Sequence, residues 1–198
     1  GECPVNGLYV TKDNHMAAAQ AVYDWLITHP HIDPERLVIF GISFGSFFGA
    51  QAAAQLGDKV KGAALSFVCH EPGCYTIFNM AAPSFKLRFM FMSNHDSEEE
   101  FDAFISEFSL DPVLDRISCP VLVQAGEDEE LSPLECTEDF IAKLTAPKKL
   151  VVYEGERHAI GGGSAPYLGE HWYTMLADWC LDRVNGKPAP NEHLRINV

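Results

Sequence analysis

Basic residues are scarce in this 198-residue chain: 14 Lys and Arg stand against 28 Asp and Glu, a net charge of −14 at pH 7. So acidic a surface repels phosphate backbones and anionic headgroups, which argues against a nucleic acid or a membrane as partner. Long apolar runs are missing too. None approaches the roughly 20 residues of a membrane-spanning helix, and no charged-then-apolar leader is visible. The cysteines at 3, 69, 74, 119, 136 and 180 show no C-x-x-C and no regular spacing. A structural zinc site and a disulfide framework are both disfavoured, with Cys69 and Cys74 alone close enough for a local bridge. A reducing, cytoplasmic setting is the default expectation. What is present is ordinary globular composition, 47% hydrophobic and 21% charged, in a length that suits one domain.

Hydrophobic periodicity gives the layout. Residues 13 to 29 read as a helix capped by Asp13 or Asn14, with Ala18, Ala21, Val22, Trp25 and Leu26 on one face. Prolines in the HPHIDPER segment end it. The run LVIFGI (37 to 42) is apolar throughout, as in buried parallel strands, and leads into the Ala-rich helical stretch SFGSFFGAQAAAQLG. Further strands are expected at 61 to 68, 120 to 126 and 148 to 155, and helices at 132 to 145 and 166 to 184. Alternating strand and helix predicts an α/β fold, a parallel sheet flanked by helices.

The stretch from Cys69 to Ser118 breaks this rhythm. It carries PSFKLRFMFM and then DSEEEFDAFISEF, in which Phe101, Phe104, Ile105 and Phe108 form a helical stripe. Glu98, Glu99 and Glu100 fall in that helix's first turn, where the macrodipole favours them. The stretch 69–118 is expected to be a helical, cap-like insertion. Phe85, Phe89, Met90, Phe91 and Met92 are expected to form its core, with an adaptable apolar wall for a substrate as the alternative.

Gly41-Ile42-Ser43-Phe44-Gly45 is a G-x-S-x-G motif lying between an apolar strand and an Ala-rich helix. That context is what a nucleophile elbow requires, because small flanking residues let strand and helix approach around a strained serine. A serine hydroxyl is a weak nucleophile without a base, and the base needs an acid to orient it. The run Glu127-Asp128-Glu129-Glu130 follows the strand at 120 to 126, and Glu156-Arg157-His158 follows the strand at 148 to 155. Serine, acid and histidine thus occur in that order, each just beyond a strand's carboxyl end, where the sites of open α/β sheets lie.

With these motifs on the page, the chain resembles the carboxy-terminal part of an α/β-hydrolase domain. The segments GISFGS, PVLVQAGEDEELSPLE and VVYEGERHAIGG carry the likeness, which spans essentially the whole chain. It is similar to the branch that holds esterase-like, prolyl-oligopeptidase-like and carbon–carbon-bond-cleaving serine hydrolases. The resemblance implies Ser43 as nucleophile, His158 as base and the backbone N–H of Phe44 as one oxyanion donor. It places the acid at Glu129, with Asp128 beside it as the competing choice. It also implies that the family's first strands and second oxyanion donor lie upstream of Gly1, and that Gly1 to Pro4 correspond to the loop after the family's fourth strand. The strand at 37 to 42 would then be an exposed apolar edge, and self-association through it is expected. No cofactor is implied.

The remaining candidates are weaker. His15, His29, His31, His171 and His193 have no carboxylate or Cys at ligand spacing and read as surface or structural. His70 and Glu71 follow a strand end and are candidates for lining a substrate pocket. The run 127 to 130 lacks the alternating ligands and glycine of a calcium loop, so no metal is expected. The expected activity is hydrolysis of an ester or related acyl bond of a small hydrophobic substrate through an acyl-enzyme. Acyl transfer by the same residues and an inactive binding fragment are the alternatives.

Overall fold

The computed structural model describes residues 7–161 and 171–196. A single sheet runs β1 (Ile39–Ile42), β2 (Ala63–Ser66), β3 (Val121–Gly126), β4 (Lys148–Tyr153) and β5 (Glu192–Ile196), in chain order and parallel throughout. Each parallel pair needs a crossover, and helices supply them. Helix α1 (Asn14–Leu26) precedes β1, and α2 (Phe44–Leu56) links β1 to β2. Helices α3 (Tyr75–Met80), α4 (Pro83–Ser93) and α5 (Glu98–Ile105) lie between β2 and β3. Helix α6 (Leu134–Lys143) links β3 to β4, and α7 (Trp172–Val184) links β4 to β5. The predicted α/β class and the four predicted strands are present, and β5 is an addition. The helix start expected at 166–170 and the opening residues Gly1 to Pro4 lie outside the described residues.

Period-two alternation sorts the strands onto two cores. Ala63, Leu65, Val121, Val123, Ala125, Leu150 and Val152 join one cluster with α2, α6 and the segment between β2 and β3. Ala64, Leu122, Val151 and Tyr153 join the other, with Met175, Leu176 and Trp179 of α7. Burying both faces is why these strands read as continuous apolar runs. Strand β1 differs. Its Phe40 and Ile42 point away from the α2 face and remain 47% and 42% exposed.

Helix α1 is present as read, but its apolar face stays open. It has no buried residue, and Val22 and Trp25 are exposed at 57% and 62%. Its Ala18, Val22 and Leu26 line an open cleft of about 420 Å³ whose other walls include Phe40 of β1 and Phe48 of α2. The periodic stripe is real, but no part of the described chain packs into that cleft.

Between β2 and β3, the expected stripe is buried at Phe101, Ile105 and Phe108, although Phe108 lies beyond the end of α5. Ser97 caps α5 by accepting from the Glu100 N–H, and all three glutamates sit in the first turn. Buried Lys86 of α4 pairs with Glu98 (3.0 Å) and Asp102 (2.8 Å), tying α4 to α5. Phe89 and Met90 are buried and Phe85 and Met92 pack against the same core, whereas Phe91 is 64% exposed. Cys69 and Cys74 are both free, so the local bridge is absent.

Candidate active site

The G-x-S-x-G turn forms where β1 enters α2. Ser43 is the residue ahead of the helix and has φ 54° and ψ −131°, a conformation that costs an L-residue about 1–3 kcal/mol. Two contacts impose it. The Ser43 N–H donates to the Ser66 carbonyl of β2 at 3.0 Å, and a Cβ at Gly41 would overlap the Gly45 carbonyl oxygen. Gly45 is different, since a Cβ there would meet nothing within 4 Å. The expectation that both flanking positions must be small therefore holds only for Gly41 among the described contacts. Ser46 is fully buried, and its hydroxyl accepts from the Cys69 N–H at 2.9 Å, fixing α2 to the chain leaving β2.

The acid and histidine loops are joined just as closely. A Cβ on Gly126 would overlap the carbonyl oxygens of Glu156 and Arg157, so only glycine lets the end of β3 pass beneath the histidine loop. The Glu127 N–H donates to the Tyr153 carbonyl and the Asp128 N–H to the Glu156 carbonyl, both at 2.9 Å. Each acid then has its own task. Glu127 accepts from the Gly155 N–H at 3.1 Å and pairs with Arg195. Glu130 accepts from the His158 backbone N–H at 2.8 Å. Buried Glu156 accepts from the Gly161 N–H at 3.0 Å.

Glu129 and His158 complete the row. His158 Nε2 lies 2.8 Å from Ser43 Oγ, and His158 Nδ1 lies 2.8 Å and 3.0 Å from the two Glu129 carboxylate oxygens. The Glu129 side chain is fully buried and also accepts from the Leu131 N–H at 3.0 Å. Asp128 is exposed, so of the two competing acids the structure places Glu129 against the ring. A hydroxyl, an imidazole and a carboxylate in this sequence can move a proton from oxygen to nitrogen while the carboxylate fixes the tautomer. Phe44 is the first residue of α2, so its N–H is one of the helix's free amino-terminal donors. Its buried ring contacts Phe47, Phe48, Phe78, Phe85 and Phe89, linking the turn to α3 and α4.

His70 does not line a pocket here. It is 4% exposed and stacks on Phe140 with centroids 4.1 Å apart, while its backbone N–H donates to Ser132 Oγ at 3.0 Å. Burial lowers its pKa to about 3, which keeps the ring neutral. The carboxylate of Glu71 turns to the N–H (2.6 Å) and hydroxyl (2.9 Å) of Thr76. Cys69 is buried close to Ser43; burial, and then the charge of Glu129, pushes its thiol well above the ordinary range, so it stays a neutral thiol. His15 stacks on Phe48 and His171 caps α7 by accepting from the Tyr173 N–H. Among the described residues no group of three or more His, Cys, Asp or Glu converges as a metal site, and no helix is long and apolar enough to cross a membrane.

The sequence reading missed an aromatic pair, one ring of which lies beside the imidazole. Phe67, immediately after β2, has φ 54°, and its ring lies 6.3 Å from that of His158 and 4.7 Å from that of Trp172. A positive φ at a phenylalanine leaves no sequence mark. Beneath them, fully buried Gln124 accepts from Ser66 Oγ (2.8 Å) and donates to Tyr153 Oη (3.0 Å) and to the Trp172 carbonyl (2.9 Å).

A parallel sheet with serine, acid and histidine on the loops after β1, β3 and β4 defines an α/β hydrolase fold. The model of the prolyl oligopeptidase family matches residues 6–187, and the chain belongs to that family. It is similar to the 2,6-dihydroxy-pseudo-oxynicotine hydrolase structure, with a TM-score of 0.78 at 22% identity over 93% of this chain and 51% of the other. Similar too is acetyl xylan esterase 1 from Thermoanaerobacterium sp. JW/SL YS485, at TM-score 0.62, 15% identity, and 85% and 52% coverage. The puromycin-hydrolyzing peptidase of Mycobacterium tuberculosis gives 0.61 at 23% identity, covering 93% of this chain and 28% of its own. An uncharacterized protein of M. tuberculosis strain H37Rv is 26% identical over 144 residues, which are 72% of this chain and 44% of the relative. The chain thus spans about half the length, or less, of these relatives.

Proposed function

We propose that this chain carries the reacting groups of a serine hydrolase that cleaves an ester or related acyl bond of a hydrophobic substrate. One observation carries the reading: the unbroken contact from Ser43 Oγ through His158 to Glu129, each step 2.8 Å. In this reading His158 Nε2 takes the Ser43 proton as Oγ attacks the acyl carbon. Glu129 holds the ring in the tautomer that leaves Nε2 free and stabilises the imidazolium that forms. The Phe44 N–H faces the developing oxyanion, a contact worth about 3 kcal/mol in comparable sites. The leaving atom takes the proton back from His158, and water, activated by the same nitrogen, releases the acyl group. Three similar structures are named as a hydrolase, an esterase and a peptidase, which supports hydrolysis as the use of the site. The half-buried Phe67 ring beside His158 supports an apolar substrate.

A fluorophosphonate probe tests this. Mass spectrometry should locate one adduct on Ser43, and Ser43→Ala and His158→Gln should abolish it. A chain that folds and never labels would rule the reading out. Release of product into an added alcohol or amine at the expense of water would recast the activity as acyl transfer.

A further inference from the structure

We propose that Phe67 and Trp172 form an aromatic subsite for the leaving group, so that the preferred substrates release an alcohol or amine bearing a flat, apolar ring. This rests on the serine-hydrolase reading of the same site and names the half of the substrate that the reading leaves open.

The first observation is backbone strain. Phe67 has a left-handed φ of 54° with no glycine to relieve it, and such outliers persist only where the surroundings over-determine them. Here they do. Its N–H donates to the Gln124 carbonyl at 3.0 Å, and its ring meets Trp172 edge-on at 61°. Trp172 is fixed in turn, because its carbonyl accepts from the Gln124 side chain. One buried residue therefore anchors both aromatic positions, through its main chain on one side and its amide on the other.

The second observation is where the rings stand. The Phe67 ring is half-buried and flanks His158. In acyl transfer to the serine, the Oγ–carbon bond forms, the bond from that carbon to the leaving oxygen or nitrogen breaks, and the leaving atom takes the serine's proton from Nε2. The leaving atom must then lie within hydrogen-bond reach of that nitrogen. The group it carries falls beside the imidazole, where the Phe67 ring stands with Trp172 packed edge-on against it. Aromatic faces and edges favour flat apolar groups through offset and edge-on contacts.

The experiment compares benzyl acetate with ethyl acetate in the intact protein, two esters that share an acyl group and release alcohols of similar acidity. The wild type should favour the benzyl ester in kcat/KM by about tenfold or more. Phe67→Ala should cut that ratio about fivefold to tenfold, and Phe67→Tyr, which keeps the ring, should retain it. Thermal melts of each variant accompany the assay. Should Phe67→Ala fail to fold, Trp172→Leu supplies the second reading of the same ratio. Equal rates on the two esters in a wild type that labels at Ser43, or a ratio unmoved in a folded variant, would overturn the subsite alone. Absence of labelling would overturn the parent reading and the subsite with it.

Discussion

The acid–imidazole half of the site, on the loops after β3 and β4, is closed by polar contacts, whereas the serine half, on the loop after β1, stands at an apolar edge of the sheet that is unpaired among the described residues. Around His158 three carboxylates hold the loop: Glu129 on the ring, Glu130 on its main chain, Glu156 on the Gly161 N–H. Around Ser43 the neighbours on the open side are carbon. Phe40 and Ile42 are 47% and 42% exposed, and Val22 of α1 lines the same open cleft as Phe40. The far edge of the sheet shows what a finished border looks like. There β5 carries Glu192 paired with Lys149, and Arg195 paired with Glu127 and Glu154. Charged edges of that kind deter further strand pairing, and β1 lacks them.

The comparison is tested hardest at its polar half. Glu129→Gln should lower turnover by up to about 10⁴-fold through loss of the correct imidazole tautomer, with the melting temperature nearly unchanged. Asp128→Asn, at an exposed side chain, should cost less than about twofold by the same logic. An ester assay run side by side checks this, and the opposite ranking would transfer the orienting role to Asp128. Gly126→Ala should be the most damaging change to the fold, by about 3 kcal/mol or more, because the new methyl meets two carbonyl oxygens of the neighbouring loop. Gly45→Ala, with open space around it, should be neutral or stabilise by up to about 1 kcal/mol as a helix former. Urea titrations of the two alanine variants give both numbers.

His70 adds a pH dependence with a definite sign. In the unfolded chain its ring charges below 6.5, whereas in the native core it stays neutral down to about 3. The unfolded state then binds the extra proton, so stability falls as the pH drops through that window. His70 should contribute a loss of about 2 kcal/mol between about pH 7 and about pH 5, and His70→Phe should remove that part of the slope. Equal slopes in wild type and variant would mean the ring is reached by solvent. At the apolar half, the chain on its own should self-associate with rising concentration, and Phe40→Lys should shift it toward monomer in sedimentation equilibrium. A monodisperse wild-type monomer would break the contrast between the two edges. A milder loss is expected at Glu130: its replacement by Ala should slow turnover about fivefold, since water can replace the carboxylate as partner of the His158 main-chain N–H.

Much of this was legible in the chain. Strands buried on both faces announce themselves as β-branched runs, and loops that carry chemistry follow their ends. The frame from Gly126 pointed to Glu129 over Asp128, and the geometry sets the same residue against the ring. What was illegible depended on neighbours. Strand β5 is polar and follows Pro188 and Pro190; it is a strand because β4 offers it a ladder. The stripe on α1 was legible as an apolar face but its exposure was not, because periodicity reports that a face is apolar and not what covers it. His70 followed a strand end like the other site residues, yet the chain there turns inward toward Phe140. Phe67 carried no signal at all, since strain belongs to the backbone and not to the residue type.

Gln124 has one further consequence, for how the strands find their places. Parallel apolar strands slide past one another with little to distinguish one alignment from the next. A slip of β3 by one residue would put Val123 or Ala125 where the amide now sits. Ser66, Tyr153 and the Trp172 carbonyl would then face carbon in the dry interior, each at a cost of about 1–3 kcal/mol. The amide thus acts as an address label for the sheet. It makes the native alignment the one in which every polar group of the network is answered, and so selects the alignment that brings the three reacting loops to the same height.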